Sequence, residues 1–202
     1  PGVRQAAQET LTAFAPRVEP AVLAQAVPGS IDNLAHPHPG VRQAAQETLT
    51  AFAPRVVDPE VLAPAVPGSI DNLAHEYHGV RRAAQRTLTA FAPRVNPAVL
   101  AKQVPRLIAY LAHDDAGVRR AAQETLTAFA PRVEPAVLAQ QVPTLVTYLA
   151  HDDAGVRRAA QETLTAFAPR VEPAVLAQQV PTLVTYLAHD DAGVRRAAQE
   201  TL

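Results

Sequence analysis

The chain has 202 residues, of which 48% are hydrophobic and 4% aromatic, and a formal net charge of -1. Its core must therefore be built from small aliphatic residues, and the near-neutral charge argues against a general affinity for nucleic acid. No apolar run approaches the ~18 residues that cross a bilayer, and no basic start leads into an apolar stretch, so neither a membrane span nor a targeting peptide is expected.

An unchanged repeat organises the sequence. Residues 117–154 recur without a substitution at 155–192, which gives a period of 38 residues. One interval in the chain is 39 residues long, and its extra residue lies in the segment 55–59, where a surface loop tolerates an insertion. A period of about 20 to 50 residues indicates units that bury their apolar faces only against neighbouring units. The register is marked by the glycine of a Gly-Val-Arg tripeptide, at Gly2, Gly40, Gly79, Gly117, Gly155 and Gly193.

Each unit is predicted to hold two helices, which we call the A helix and the B helix. The prediction is a single array over residues 1–202: a lone B helix at 3–15, then A–B pairs at 20–53, 59–92, 97–130, 135–168 and 173–202. Because the sequence starts at Pro1 and ends at Leu202 in mid-unit, without polar terminal units, we expect a fragment of a longer array or a chain whose ends find partners.

The B helix is predicted from its capping signals and its apolar spacing. Asp153 stands where an N-cap is expected, and Pro169 ends the helix because the residue before a proline is disfavoured in the α region. Between them the apolar residues have the spacing of one helical face: Val156, Ala160, Leu164 and Phe167.

The A helix is predicted to begin at a proline such as Pro173, a favourable residue for the first turn. Its apolar face is Leu176, Val180, Leu183, Val184 and Leu187. A second proline lies inside every A helix and should bend it, because proline cannot donate a backbone hydrogen bond and presses on the carbonyl four residues earlier. These inner prolines are Pro28, Pro67, Pro105, Pro143 and Pro181.

With these features the unit resembles a HEAT repeat of the type widespread in bacterial proteins. Four marks carry the resemblance: the inner proline of the A helix, the aspartate before the B helix, a Val-Arg pair and a step of small residues. In one unit they are Pro143, Asp153, Val156–Arg157 and Ala159–Ala160. The resemblance covers essentially the whole chain. It implies an all-α fold, a right-handed α-solenoid of stacked helix pairs that forms an open, curved superhelix with the B helices on its concave face.

One position departs from the family pattern. The family commonly has an aspartate directly after the A helix, which joins the following arginine in a ladder between adjacent units. Asp153 with Arg157 is expected to supply that ladder instead. In the first two units His38 and Tyr77 replace this aspartate, which puts the ladder in question at the N-terminal end. The position after the A helix is occupied by His36, His75, His113, His151 and His189.

Neither a metal site nor a catalytic site is predicted. The recurring histidines lie one repeat apart, far beyond the ~2 Å ligand distances that a shared ion requires. The local pairs His36–His38 and His75–His78 are better explained as exposed turn residues. The chain has no cysteine, no His-Glu-x-x-His, no phosphate-binding loop and no Gly-x-Ser-x-Gly. We therefore expect no cofactor and no enzymatic activity.

Adjacent arginines near the start of the B helices are expected to have different roles. They are Arg81–Arg82, Arg119–Arg120, Arg157–Arg158 and Arg195–Arg196. Neighbouring residues in a helix point about 100° apart, so Arg157 is predicted to be structural and Arg158 exposed. A glutamate such as Glu162, one turn after Arg158, cancels its field, which makes nucleic acid an unlikely partner. One unit has Arg86 instead of this glutamate and adds Lys102 and Arg106, making a local basic patch.

The leading hypothesis for function is a non-enzymatic scaffold that binds an unknown protein along its concave B-helix face. The alternatives are self-assembly into a filament or ring through uncapped ends, a consensus-designed repeat protein, and an enzyme accessory role as in phycobilin lyases built from similar repeats. No membrane partner is expected, and a cytoplasmic location is favoured, although the absence of cysteine suits any compartment.

Two groups of residues are candidates for binding. The predicted protein-binding surface comprises Arg82, Arg86, Arg120, Glu124, Arg158, Gln161, Glu162 and Thr165. Identical units present identical surfaces, so a site of higher specificity is expected where the repeat is broken. Those residues include Tyr77, His78, Lys102 and Arg106.

Overall fold

The computed structural model describes residues 2–56 and 58–202, and over these residues it contains α-helices and short 3-10 turns without any strand. The all-α prediction is confirmed. Val57, part of the predicted insertion, lies outside the described residues. The chain forms two compact units, residues 1–100 and 101–202. In the described part of the chain, no helix combines the length and the apolar character needed to cross a membrane.

The helices occupy the segments expected from the repeat. The first compact unit contains α1 (Gly2–Phe14), α2 (Pro20–Asp32), α3 (Pro39–Phe52), α4 (Ala65–Leu73) and α5 (His78–Phe91), with 3-10 turns at Asn33–Ala35 and Pro59–Val61. The next helix, α6 (Pro97–Ala101), spans the division. The second unit contains α7 (Val104–Tyr110), α8 (Ala116–Phe129), α9 (Pro135–Ala139), α10 (Val142–Tyr148), α11 (Ala154–Phe167), α12 (Pro173–Ala177), α13 (Val180–Tyr186) and α14 (Ala192–Thr201), with a 3-10 turn at Ala168–Arg170.

The B helices form the packing centre of each compact unit. In the first unit α3 packs against α1, α2 and α5, and α5 also packs against α4. In the second unit α11 packs against α8, α10 and α14. Within each compact unit, α3 and α11 therefore contact an A segment and the B helices on either side. The single array over residues 1–202 stays a prediction.

The inner proline breaks the A segment in three units, where the sequence predicts only a bend. In the fourth unit α9 ends at Ala139, and α10 restarts at Val142 with Pro143 in its first turn. Because Pro143 has no N–H and its ring clashes with the carbonyl four residues earlier, ending the helix removes the conflict, and the first turn needs no such donor. By contrast, α2 runs on through Pro28.

The B helices α3, α5, α8 and α11 each bury one apolar stripe, as the spacing predicts, whereas Phe14 of α1 is 55% exposed. In α11 the side chains of Val156, Ala160, Leu164 and Phe167 are all buried, and Phe167 is 0% exposed. The phenylalanine of this stripe is among the largest fully buried side chains of the chain at four positions: Phe52, Phe91, Phe129 and Phe167. The predicted core face of the B helix is confirmed.

The apolar face of the A segment is buried to different extents in two identical units. Val146 is 3% exposed, whereas Val184, at the same position one unit later, is 53% exposed. Leu149 and Leu187 show the same contrast, at 0% and 39%. A solenoid unit buries its apolar face against its neighbours, so the burial of this face depends on what packs beside it and not on its own sequence.

The first compact unit has polar side chains in its core where the second has leucine. Ser69 occupies the position of Leu145 and is 0% exposed. The neighbouring Gln46 of α3 is also 0% exposed, and its Oε1 accepts a hydrogen bond from Ser69 Oγ at 3.2 Å. Among the described residues, Gln46 Nε2 has no hydrogen-bond partner. The equivalent Gln123 is half-buried, so the smaller serine has allowed the glutamine to turn inward.

Candidate functional site

A histidine shapes the turn before the B helix. The Nδ1 atom of His151 accepts a hydrogen bond from the backbone N–H of Asp153 at 3.0 Å. In this way the imidazole of His151 does what an aspartate side chain does in an Asx turn. The sequence interpretation of these histidines as turn residues is right. It missed this hydrogen bond, which the recurrence of histidine in every repeat could have indicated. The same bond, at 3.0 or 3.1 Å, is made by His36, His75, His113 and His189.

The residue two positions after this histidine caps the B helix. Asp153 Oδ1 accepts hydrogen bonds from the N–H groups of Gly155 at 2.6 Å and Val156 at 3.1 Å, which confirms the predicted N-cap of α11. His38 has this role in α3, because its Nδ1 accepts from the N–H of Gly40 at 3.0 Å. Tyr77, at the same position before α5, provides no side-chain cap.

The first arginine of each pair connects adjacent repeats. Arg119 Nη2 lies 3.5 Å from Asp153 Oδ1, and Arg157 Nη2 lies 3.7 Å from Asp191 Oδ1. The ladder thus joins an arginine to the aspartate of the following unit, and the expected pairing of Asp153 with Arg157 is wrong. The guanidinium of Arg157 instead donates to the backbone carbonyls of the turn before its own helix, at 2.8 and 2.9 Å.

The glycine that marks the register accommodates this arginine. A Cβ atom on Gly155 would lie 2.7 Å from Arg119 Nη2, closer than two such atoms can approach. A glycine at the start of α11 therefore lets the guanidinium of the preceding unit lie across the backbone. The same close approach of an arginine from the preceding repeat occurs at Gly193, so the glycine has a packing reason at these two positions.

The ladder has a different partner at the N-terminal end. Arg42 Nη1 donates to the Oδ1 atom of Asn72 at 3.3 Å, and Asn72 Nδ2 donates to the carbonyl of Leu34 at 3.0 Å. Asn72 is 1% exposed. The buried side-chain amide of Asn72 thus connects the first two repeats, in which His38 and Tyr77 replace the ladder aspartate.

The cap aspartate makes stability depend on pH. The N–H groups of Val156 and Gly155, and the guanidinium of Arg119, hold the pKa of Asp153 below its ordinary value. Such a carboxyl contributes stability that is present above its unfolded pKa and lost as pH falls through its folded pKa. We expect Asp153→Asn, which keeps a capping acceptor, to melt below the wild type at neutral pH and with it in acid. A melting difference that does not change with pH would contradict this account.

The second arginine of each pair is exposed, as predicted. The side chain of Arg158 is 80% exposed, whereas that of Arg157 is 12% exposed. Arg158 Nε donates to Glu162 Oε1 at 2.8 Å, one helical turn later. The corresponding bonds in α8 and α14 join Arg120 to Glu124 at 2.9 Å and Arg196 to Glu200 at 2.8 Å. The hydrogen bond that Arg120 donates to Glu124 raises the pKa of Arg120, and the one that Arg196 donates to Glu200 lowers the pKa of Glu200.

These pairs line two similar grooves between successive B helices. The α8–α11 groove has a volume of about 510 Å³, and the α11–α14 groove about 530 Å³. The structure thus brings most of the predicted binding residues together. The first groove is lined by Arg120, Glu124, Arg158 and Glu162 among others, and the second by Arg158, Gln161, Glu162, Thr165, Arg196 and Glu200 among others. Gln161 also crosses the second groove, donating to Glu200 Oε2 at 2.9 Å.

A third groove lies at the corresponding place in the first compact unit. This α3–α5 groove has a volume of about 480 Å³. Its walls include Gln43 of α3 on one side, with the repeat-breaking residues Tyr77 and His78 and the arginines Arg82 and Arg86 on the other. The ring of Tyr77 is tilted against that of His75, with 5.5 Å between centroids.

The two remaining candidates lie in the A segment of the third repeat. Lys102 is exposed, and the guanidinium of Arg106 lies 5.6 Å from the ring centre of Tyr110, a cation–π distance. Both residues belong to the second compact unit, whereas Arg82 and Arg86 belong to the first. Over residues 2–56 and 58–202, no three His, Asp or Glu side chains converge on a point that could hold a metal ion.

Helix pairs stacked at a 38-residue period, with grooves between successive B helices, define the chain as an α-solenoid repeat protein. Residues 104–202 match the family model for HEAT repeats, and the same unit recurs through the rest of the sequence. This match over the C-terminal part of the chain supports the resemblance of the repeat to HEAT repeats.

Solved structures with a similar fold include engineered and natural repeat proteins. An engineered protein is 24% identical over 98% of this chain and 90% of that chain, with a TM-score of 0.59. The karyopherin Kap121p bound to the SUMO protease Ulp1p is 16% identical, with a TM-score of 0.69 over 98% of this chain and 21% of the karyopherin. A designed armadillo repeat protein is 15% identical, with a TM-score of 0.56 over 98% and 91%. At these identities the likeness shows the fold alone. No curated protein matches the sequence.

Proposed function

We propose that the chain is a non-enzymatic scaffold whose protein partner lies along the exposed face of the B helices. The observation that carries this proposal is the pair of grooves α8–α11 and α11–α14, which present the same charged side chains one repeat apart. An extended or helical segment of a partner that crosses these helices would meet the same set of contacts in each groove.

The exposed ion pairs support a binding role more than a stabilising one. Arg120 and Arg158 each have 80% of the side chain exposed, and ion pairs so accessible to solvent add little to stability. Each arginine is nevertheless held in one direction by the glutamate on the next turn, which reduces the ordering that a partner must impose. Arginine is also among the residues enriched at protein interfaces.

Proteins of similar fold support a protein as the partner. The karyopherin Kap121p occurs in complexes with the SUMO protease Ulp1p and with Nup53p. Folds of the HEAT and armadillo type are generally non-catalytic scaffolds, which supports the non-enzymatic part of the proposal. Against nucleic acid, the second arginine of the pair in each of α8, α11 and α14 is neutralised by its own glutamate.

Site-specific crosslinking tests the proposal. Because the chain has no cysteine, a single introduced cysteine can be labelled with a benzophenone photocrosslinker without side reactions at other thiols. Peptides selected from a display library on the intact chain would serve as probes. We expect a selected peptide to crosslink to the label at Thr165→Cys, in the α11–α14 groove, and not at Thr147→Cys, an exposed position on α10. Equal crosslinking at both positions, or crosslinking at Thr147→Cys alone, would contradict the proposal.

Head-to-tail self-assembly, the second hypothesis from the sequence, stays a prediction. Light scattering on the intact chain across a wide concentration range tests it directly. A mass that rises with concentration is expected for self-assembly, and a constant monomer mass contradicts it.

A further inference from the structure

The repeat that contains α5 lacks two acidic groups that the repeat of α11 possesses, one at the helix cap and one in the groove. In α11 the cap Asp153 pairs with the preceding unit, and Glu162 pairs with the exposed arginine of its own helix. In α5 the cap position is Tyr77, and the position of the glutamate is Arg86. The first compact unit therefore keeps the groove of the repeat but changes its charge.

The remaining charges in this groove leave an excess of cations. Arg86 Nη2 lies 3.4 Å from Glu47 Oε1 across the groove, and Gln43 Nε2 donates to the same oxygen at 3.1 Å. Arg82 has Arg86 one helical turn later, where its counterparts in α8, α11 and α14 have a glutamate. Two exposed guanidinium groups thus face one carboxylate, and like charges four residues apart in a helix repel.

The shape of the groove suits a short stretch of peptide. Its volume of about 480 Å³ lies within the range of ~300–1,000 Å³ typical of binding pockets. Tyr77 is 52% exposed at one end, and its backbone N–H is fixed by the hydrogen bond to His75 Nδ1 at 3.0 Å. Exposed tyrosine beside arginine is a combination that dominates the energetics of many protein interfaces.

We propose that the α3–α5 groove binds an acidic segment of a partner protein, with carboxylates at Arg82 and Arg86 and apolar contact at Tyr77. This inference rests on the proposed protein-binding function and specifies the chemistry recognised by one groove. A protein segment is favoured over nucleic acid because the groove presents only two guanidinium groups, whereas binding to a phosphate backbone usually requires many cationic contacts. The net charge of -1 offers no wider field for a polyanion.

Fluorescence anisotropy with a labelled peptide tests this inference. The probe is a peptide of alternating glutamate and glycine, about twelve residues long, which spans roughly 40 Å when extended. Arg86→Glu restores the residue of the repeat and gives Arg82 the partner that Arg120 has at 2.9 Å, so the variant should fold. We expect binding to weaken roughly five- to tenfold in Arg86→Glu, and to disappear for the wild type in about 1 M salt, where the Debye length is about 3 Å.

A matched control separates the groove from the overall charge. The double variant Lys102→Gln, Arg106→Thr also restores the residues of the repeat, and it changes the net charge by the same two units as Arg86→Glu. Neither residue lines the α3–α5 groove, so we expect this variant to bind the acidic peptide as the wild type does. Equal losses in the two variants would overturn the proposal, because the effect would then follow net charge alone.

The other possible outcomes of these experiments also support or overturn the proposal. A peptide in which lysine replaces glutamate should not bind, and binding as tight as that of the acidic peptide would overturn the proposal. Tighter binding of a single-stranded oligonucleotide of equal charge would assign the groove to nucleic acid and overturn it as well. If the acidic peptide fails to bind while display-selected peptides still crosslink at Thr165→Cys, the inference fails and the scaffold function stands. Failure of both experiments would reject both.

Discussion

Leu126→Ala is expected to lower the free energy of unfolding by about 2–5 kcal/mol. Leu126 is 0% exposed in the middle of α8, on the same buried stripe as Val118 and Phe129. Truncation to alanine removes apolar contact area and leaves a cavity that the close-packed neighbours fill only in part. Denaturation by urea, followed by circular dichroism at 222 nm, measures the change.

The adjacent Thr127 provides the control for this substitution. It is exposed on the same helix, and its hydroxyl donates to the carbonyl of Gln123 and accepts from the Gln123 side chain, both one turn earlier in the helix. Thr127→Ala should therefore leave stability close to that of the wild type. If Leu126→Ala unfolded at the same denaturant concentration as Thr127→Ala, the assignment of the buried face of α8 would be wrong.

Arg119→Ala is expected to lower the free energy of unfolding by roughly 1.5–3 kcal/mol, the range for hydrogen bonds to charged groups. The Arg119 side chain is 11% exposed, and its Nη1 donates to the carbonyls of His113 at 2.8 Å and Asp114 at 2.9 Å. Its Nη2 also pairs with Asp153 of the following repeat. The substitution leaves these acceptors without their donor and weakens the connection between repeats.

The neighbouring Arg120 is the matched control, since it differs from Arg119 by one position and by its direction from the helix. Its side chain is 80% exposed, and its ion pair in the α8–α11 groove is with Glu124 of the same helix. Arg120→Ala should therefore melt as the wild type does. Equal destabilisation by the two alanine substitutions would show that the adjacent arginines do not divide their roles in this way.

The repeat made the helices and their buried faces predictable from the sequence. The spacing of Val156, Ala160, Leu164 and Phe167 is that of one helical face, and a helix with such a face must bury it. The exposure of Arg158 beside a mostly buried Arg157 followed from the same helical geometry. These properties depend on residues within one unit, and for that reason one unit is enough to predict them.

Properties that depend on two units were not predictable in the same way. Whether Val146 or Val184 is buried depends on what packs beside an identical sequence. The partner of Asp153 is an arginine of the preceding repeat, 34 residues earlier in the chain, and not the arginine four residues later in its own helix. The inward turn of Gln46 likewise requires Ser69, a small residue on another helix.

The most direct test of the central claim, that the exposed residues of the B helices bind a protein, uses the outer arginines. The affinity of a display-selected peptide is measured by fluorescence anisotropy for the wild type and for the double variant Arg120→Ala, Arg158→Ala, together with the melting temperature of both. The account predicts binding at least roughly tenfold weaker at an unchanged melting temperature. Unchanged affinity in the double variant would contradict it.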